Sequence, residues 1–230
     1  MFRPIHYFGC FLLFVASILL LVTTISAPVI NSISVMRVDL GRNASSLTFG
    51  TFGYCVLNSE QGGDWCTGRE IGYDVSNIMV NAERTGFSEA SGNTADGLTR
   101  VMVLHPVACA LTFISFLIAC AAGIIGSLIG VIVAFVAWVI TLVVMATDFA
   151  AFGIVKNDVN EDGSGSVAYY GSAMWCLLAA FVLQFFGMVI VFFTCCTSRR
   201  EKRRNQAAVE PKNDYGVSSR RSRWGRWRRN

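Results

Sequence analysis

The chain has 230 residues, of which 53% are apolar and only 15% charged. Soluble domains carry about a quarter charged residues. The composition therefore excludes an ordinary water-soluble globule and leaves a membrane protein with room for one helical bundle and one small outer domain. The net charge of +4 is unevenly spread: residues 197–230 carry 12 Lys and Arg against Glu201, Glu210 and Asp214, whereas residues 28–100 carry five basic and eight acidic residues.

Residues 1–4 precede a first span at 5–27, apolar and free of Asp, Glu, Lys and Arg. As a helix it reaches about 33 Å, enough to cross a bilayer. A cleaved signal peptide is the rival reading, because Thr24 and Ser26 are small. The run exceeds the ~7–15-residue core of such peptides, which favours a retained helix.

Residues 28–105 form a polar segment. Strand-like pieces lie near Ser32–Leu40, Leu47–Leu57 and Arg69–Val75. Alternation places Leu47, Phe49, Thr51, Gly53, Cys55 and Leu57 on one face of a strand. Gly62-Gly63 then turns the chain towards Cys66 in a hairpin, and a Cys55–Cys66 disulfide follows. Closing so short a loop stabilises by about 3 kcal/mol in the chain-entropy model. Asn43-Ala44-Ser45 is a glycosylation sequon. Ser88–Gly97 reads as a loop, and Thr94–Leu104 as a short helix stopped by His105-Pro106.

Between Val101 and Phe152 the only ionisable side chains besides cysteines are His105 and Asp148. One helix over this stretch would be ~78 Å long against a hydrocarbon core of ~30 Å, so it holds two spans. These are placed at 106–124 and 128–150, with a tight turn at 125–127. Ala119, Gly123 and Ser127, and Gly126 with Gly130, form rows of small residues that suit close helix approach; loop glycines are the plainer reading. An acidic loop follows at 151–170, then a fourth span at 171–194 and a basic tail at 195–230. Positive-inside counting puts the termini in the cytosol and the 28–105 segment outside, where a disulfide is permitted.

Asp148 is a functional candidate, because an acid within a span is costly. Two hairpinned spans can bring it to His105 as a pH-responsive pair; the alternative is a packing role through hydrogen bonds. Cys195-Cys196 at the end of the fourth span are either palmitoylation sites or unmodified thiols. Cys10, Cys109, Cys120 and Cys176 are packing residues. Asp158, Asn160 and Asp162 match half of a calcium loop, but Tyr169 stands where a bidentate Glu is needed. No metal and no cofactor is expected, and the sequence carries none of the usual enzyme motifs. In the tail, Arg220, Arg221, Arg223, Arg226, Arg228 and Arg229 interleave with Trp224 and Trp227. Anionic lipid is their nearest partner, ahead of nucleic acid, with a merely solvated tail as the plain alternative.

FGTFGYC at Phe49–Cys55, IGYD at Ile71–Asp74, LHPVAC at Leu104–Cys109 and AWVITLVVMATDFAAFGIVKNDVN at Ala137–Asn160 resemble the PalI family of fungal four-span plasma-membrane proteins. The resemblance implies a non-catalytic accessory of alkaline-pH sensing that supports a multi-span sensor; its membrane partner is that sensor or a second copy of the chain. The alternative it implies is an eisosome-type organiser of membrane domains and the cell cortex. The expected fold is an all-α membrane bundle of four helices with a small disulfide-bonded β-rich outer domain, in a claudin-like layout.

Overall fold

A computed structural model of the chain describes residues 3–30, 32–41, 45–58, 63–83, 89–121, 124–161, 163 and 165–209. Four helices are long and apolar enough to cross a membrane. They are α1 (Arg3–Thr24), α4 (Leu104–Ala121), α5 (Ile124–Glu161) and α6 (Ser172–Val209). Each touches two neighbours in a ring, α1 against α4 and α6, and α5 against α4 and α6. Small residues let α4 and α5 close on each other. A side chain on Gly130 would meet the Ala119 and Ser115 backbone, and Ser115 Oγ donates to the Gly130 carbonyl at 2.9 Å.

Five strands build one antiparallel sheet: β1 (Met36–Asp39), β2 (Ser46–Phe49), β3 (Tyr54–Leu57), β4 (Trp65–Cys66) and β5 (Val167–Tyr170), in the order β4-β3-β2-β1-β5. Cys55 lies opposite Cys66 and is bonded to it. Leu47–Leu57 is thus two strands and not one. Gly50 N donates to Gly53 O at 2.8 Å, and Gly53 takes φ +152°, a conformation that favours glycine. The reversal pairs Thr48 with Cys55, so the disulfide shares a face with Thr48, away from Leu47 and Phe49. Of Ser32–Leu40 only β1 is strand. Arg69–Val75 is not a strand either: Asp74 Oδ1 accepts from Asn77 N at 2.7 Å and caps helix α2 (Val75–Glu83).

Of the expected loop at Ser88–Gly97, the described part, Glu89–Gly97, is instead within helix α3 (Glu89–Thr99), which packs on α5 and buries Ala95. Tertiary packing overrides the weak propensity of its Gly, Ser and Asn. A single 3-10 turn, Arg100–Val103, leads directly into α4. His105-Pro106 does not stop the helix. Proline is tolerated in a first helical turn because its missing N–H has no intrahelical partner there.

The break between α4 and α5 falls between Ala121 and Ile124, so 125–127 is helical and not a turn. The helix α5 has 38 residues, about 57 Å, and outruns the ~30 Å hydrocarbon core. Its surplus corrects the 151–170 loop. Phe152, Val155 and Val159 form a stripe at helical spacing and join Met36, Val38, Leu47 and Phe49 in one core. The sheet therefore rests on the extension of the third long helix. Asn160, on that extension, accepts from Ala168 N at 2.9 Å and donates to Ala168 O at 3.3 Å, fixing β5. Likewise α6 runs on as helix to Val209, past the expected end at 194.

Candidate functional site

The bundle and the sheet meet at a seam, and the two predicted ionisable residues lie in it. His105 opens α4 and Asp148 lies two-thirds along α5. His105 Nε2 and Asp148 Oδ2 are 3.1 Å apart, with both side chains only 1% exposed. Neither atom has a hydrogen-bond partner among the described residues. His105 Nδ1 is 3.0 Å from the Met102 carbonyl, which can only accept. Nδ1 therefore carries a hydrogen, and Nε2 is the atom turned to the carboxylate. A proton between Nε2 and Oδ2, as imidazolium with carboxylate or imidazole with carboxylic acid, would satisfy both buried atoms.

Around the pair the seam is closed by hydrogen bonds from separate elements. Tyr73 donates to Gly50 O at 2.6 Å at the tip of the β2–β3 hairpin, and Thr99 donates to Tyr73 O at 3.2 Å. Burial, and secondarily the Asp148 carboxylate, push the Tyr73 phenol well above its ordinary range. The hairpin tip sits on the end of α1: Thr51 Oγ1 donates to Thr23 O at 2.8 Å, and a side chain on Gly50 would strike the Ala27 backbone. Phe49 bridges to Tyr73 and Phe152, with centroids 6.3 and 6.5 Å away. The His105–Asp148 pair thus sits beneath a network that ties the sheet to α1, α3 and α5.

Tyr73 and Thr99 carry no signal at the level of composition or spacing, since their partners are distant in sequence. Tyr73 lies inside the IGYD motif, which points to it without giving a role. His6 was also missed. At the other end of the bundle it joins α1 to Thr194 of α6 and to the Ala119 carbonyl of α4, each at 3.1 Å. Gln184 donates to Thr112 at 2.9 Å in the bundle interior.

The remaining candidates are scattered. Cys55 and Cys66 are on the sheet face opposite α5. Asp158 and Asn160 lie within helix α5, where Asn160 serves β5, so the half-match to a calcium loop does not form a loop there; among the described residues no metal-binding group of His, Cys, Asp or Glu occurs. Cys195 is buried and Cys196 partly exposed. Asn43, Asp162 and the tail residues Arg220, Arg221, Arg223, Trp224, Arg226, Trp227, Arg228 and Arg229 lie outside the described residues.

A four-helix membrane bundle carrying a disulfide-bonded antiparallel sheet on one end, in a claudin-like layout, is a multi-pass membrane protein. The sequence matches the SUR7/PalI family over residues 2–187, and the chain belongs to that family. It is 34% identical over 110 residues to the pH-response regulator protein palI/prr-5 of Neurospora crassa, a match covering 47% of this chain and 14% of that one. The pH-response regulator protein palI/RIM9 of Pyricularia oryzae is 33% identical over 104 residues (45% and 13%), and that of Emericella nidulans 32% over 115 residues (48% and 18%). The matched region thus spans less than a fifth of the length of each of these relatives.

Proposed function

We propose that the chain is a non-catalytic component of an ambient-pH response at the fungal plasma membrane. Its sheet domain faces outward, its N-terminus and basic α6 end face the cytosol, and it acts by supporting a multi-span sensor. The His105–Asp148 pair carries this reading. A proton shared by the pair would hold α4 to α5 beneath the sheet, and its loss would leave a carboxylate facing a lone pair in a buried seam and loosen the sheet's seat on the bundle. The names of the relatives support the same reading.

Host cells carrying Asp148→Asn in place of the wild-type chain test it. On a shift to alkaline medium, induction of alkaline-response genes falls, while the abundance of the chain is unchanged. Normal induction removes the pair from the mechanism. Loss of the whole chain is expected to lower the abundance of its membrane partner. A second reading, an organiser of membrane domains, draws on the SUR7 half of the family and on the basic helical extension of α6. It predicts static cortical patches and a cell-wall phenotype with normal alkaline induction.

A further inference from the structure

At the end of the bundle remote from the sheet, Thr194 and Thr197 turn their hydroxyls back to their own helix. Thr194 Oγ1 donates to Ile190 O and Val191 O at 2.9 and 3.0 Å, and Thr197 Oγ1 to Phe193 O and Thr194 O at 3.0 and 3.1 Å. Their polarity is thereby withdrawn from a trough of about 210 Å³ between α1 and α6, walled by Ile5, Val189, Ile190 and Phe193. Phe193 and Thr197 also line a second cavity of about 440 Å³, which ends at Arg199 and Arg200. Phe193, Thr197 and Arg200 lie along one helix face, spaced i, i+4, i+7, and Arg199 flanks it about 100° round the helix. Among the described residues neither guanidinium is ion-paired.

We propose that this slot is a binding site for an anionic phospholipid, with one acyl chain in the trough and the headgroup phosphate on Arg199 and Arg200. The site is independent of the proton-holding pair. Its two halves specify the ligand together. A free phosphate has no use for an apolar trough, and a neutral lipid has none for two guanidiniums without an ion-pair partner among the described residues. Arginine offers a planar fork that matches phosphate oxygens. Basic pockets between helices at the cytosolic side of a membrane are suited to such headgroups. Of the two acyl-acceptor candidates, Cys195 is buried and Cys196 lines the slot beside the arginines.

The test is native mass spectrometry of the full-length chain in detergent, titrated with phosphatidylserine or phosphatidylcholine. Phosphatidylserine is expected to bind in preference, and Arg199→Gln with Arg200→Gln to weaken it by roughly tenfold or more. Ile5→Trp, which fills the trough from the α1 side and leaves both arginines in place, is expected to weaken it as well. Replacing the six arginines between 220 and 229 by glutamine leaves it unchanged. Three results overturn the proposal. One is equal binding of the two lipids. Another is retention in the Arg199/Arg200 variant with loss in the tail variant. The last is displacement by millimolar inorganic phosphate, which would reduce the site to a phosphate contact. Far-ultraviolet circular dichroism confirms that each variant is folded.

Discussion

Replacing Asp148 by Asn and by Leu separates the shared proton from the packing. In Asp148→Leu, His105 Nε2 is left in a dry seam without a partner. Removing one member of a buried pair costs about 3–5 kcal/mol. At about 2–4 °C per kcal/mol for a chain of this size, the thermal midpoint falls on the order of 10 °C. Asp148→Asn keeps the shape and offers an amide N–H to the lone pair on Nε2. Its cost is that of exchanging a charge-assisted contact for a neutral one, about 1–2 kcal/mol. The two variants differ further in pH dependence. If the wild-type seam is closed by a shared proton, it loses stability as that proton leaves with rising pH. In Asp148→Asn the closing hydrogen belongs to the amide, so the profile flattens. The assay is thermal unfolding in nanodiscs, followed by tryptophan fluorescence at several pH values. A profile in Asp148→Asn as steep as that of the wild type would refute the shared-proton reasoning, whatever the absolute stability.

Tyr73 gives a second pH effect with its own window. Its folded-state phenol is raised by burial and then by Asp148. The group is therefore neutral in the fold while the unfolded chain ionises near pH 10, and stability is intact below that value and falls as pH rises above it. Tyr73→Phe should show a shallower alkaline slope in the same fluorescence assay. Cys55→Ser opens a loop whose ends are 11 residues apart and is expected to cost about 3 kcal/mol, read as a lower melting temperature of the sheet domain by differential scanning calorimetry. Gly130→Leu forces α4 and α5 apart where the Gly130 Cα faces the Ala119 backbone; a loss of about 1–3 kcal/mol or more is expected, against little change for Gly68→Ala in space that is open. Chemical denaturation of the two variants side by side measures the difference.

The four spans were legible because hydropathy over some 20 residues is dictated by the bilayer itself. The disulfide was legible too, from two cysteines flanking a glycine turn. What failed was local phase and length. Leu47–Leu57 alternates without interruption, so the reversal at Gly50–Gly53 is invisible until Gly50 is seen against Ala27. The helix α3 hides among Gly, Ser and Asn because α5 stabilises it from outside its own sequence. The α5 extension hides behind Lys156, Asp158 and Glu161, which interrupt hydropathy but leave Phe152, Val155 and Val159 on one stripe. The site was half legible. His105 and Asp148 stood out as the two ionisable side chains, cysteines apart, in a 52-residue apolar stretch. The enclosure that makes them matter, Tyr73 with Thr99 and Gly50, is set by tertiary contacts between segments far apart in sequence.

The chain has only two histidines, His6 and His105. Nitrogen-15 NMR of a histidine-labelled sample in nanodiscs, with His6→Gln to assign the signals, therefore observes the proton of the seam directly. The expected result is an Nδ1–H at His105 at every pH and a second proton, shared through Nε2, that is lost on alkalinisation and whose titration changes in Asp148→Asn. A His105 with no proton on Nε2 at any pH, or one whose signals are the same with and without Asp148, would contradict the claim that the two residues hold one proton between them.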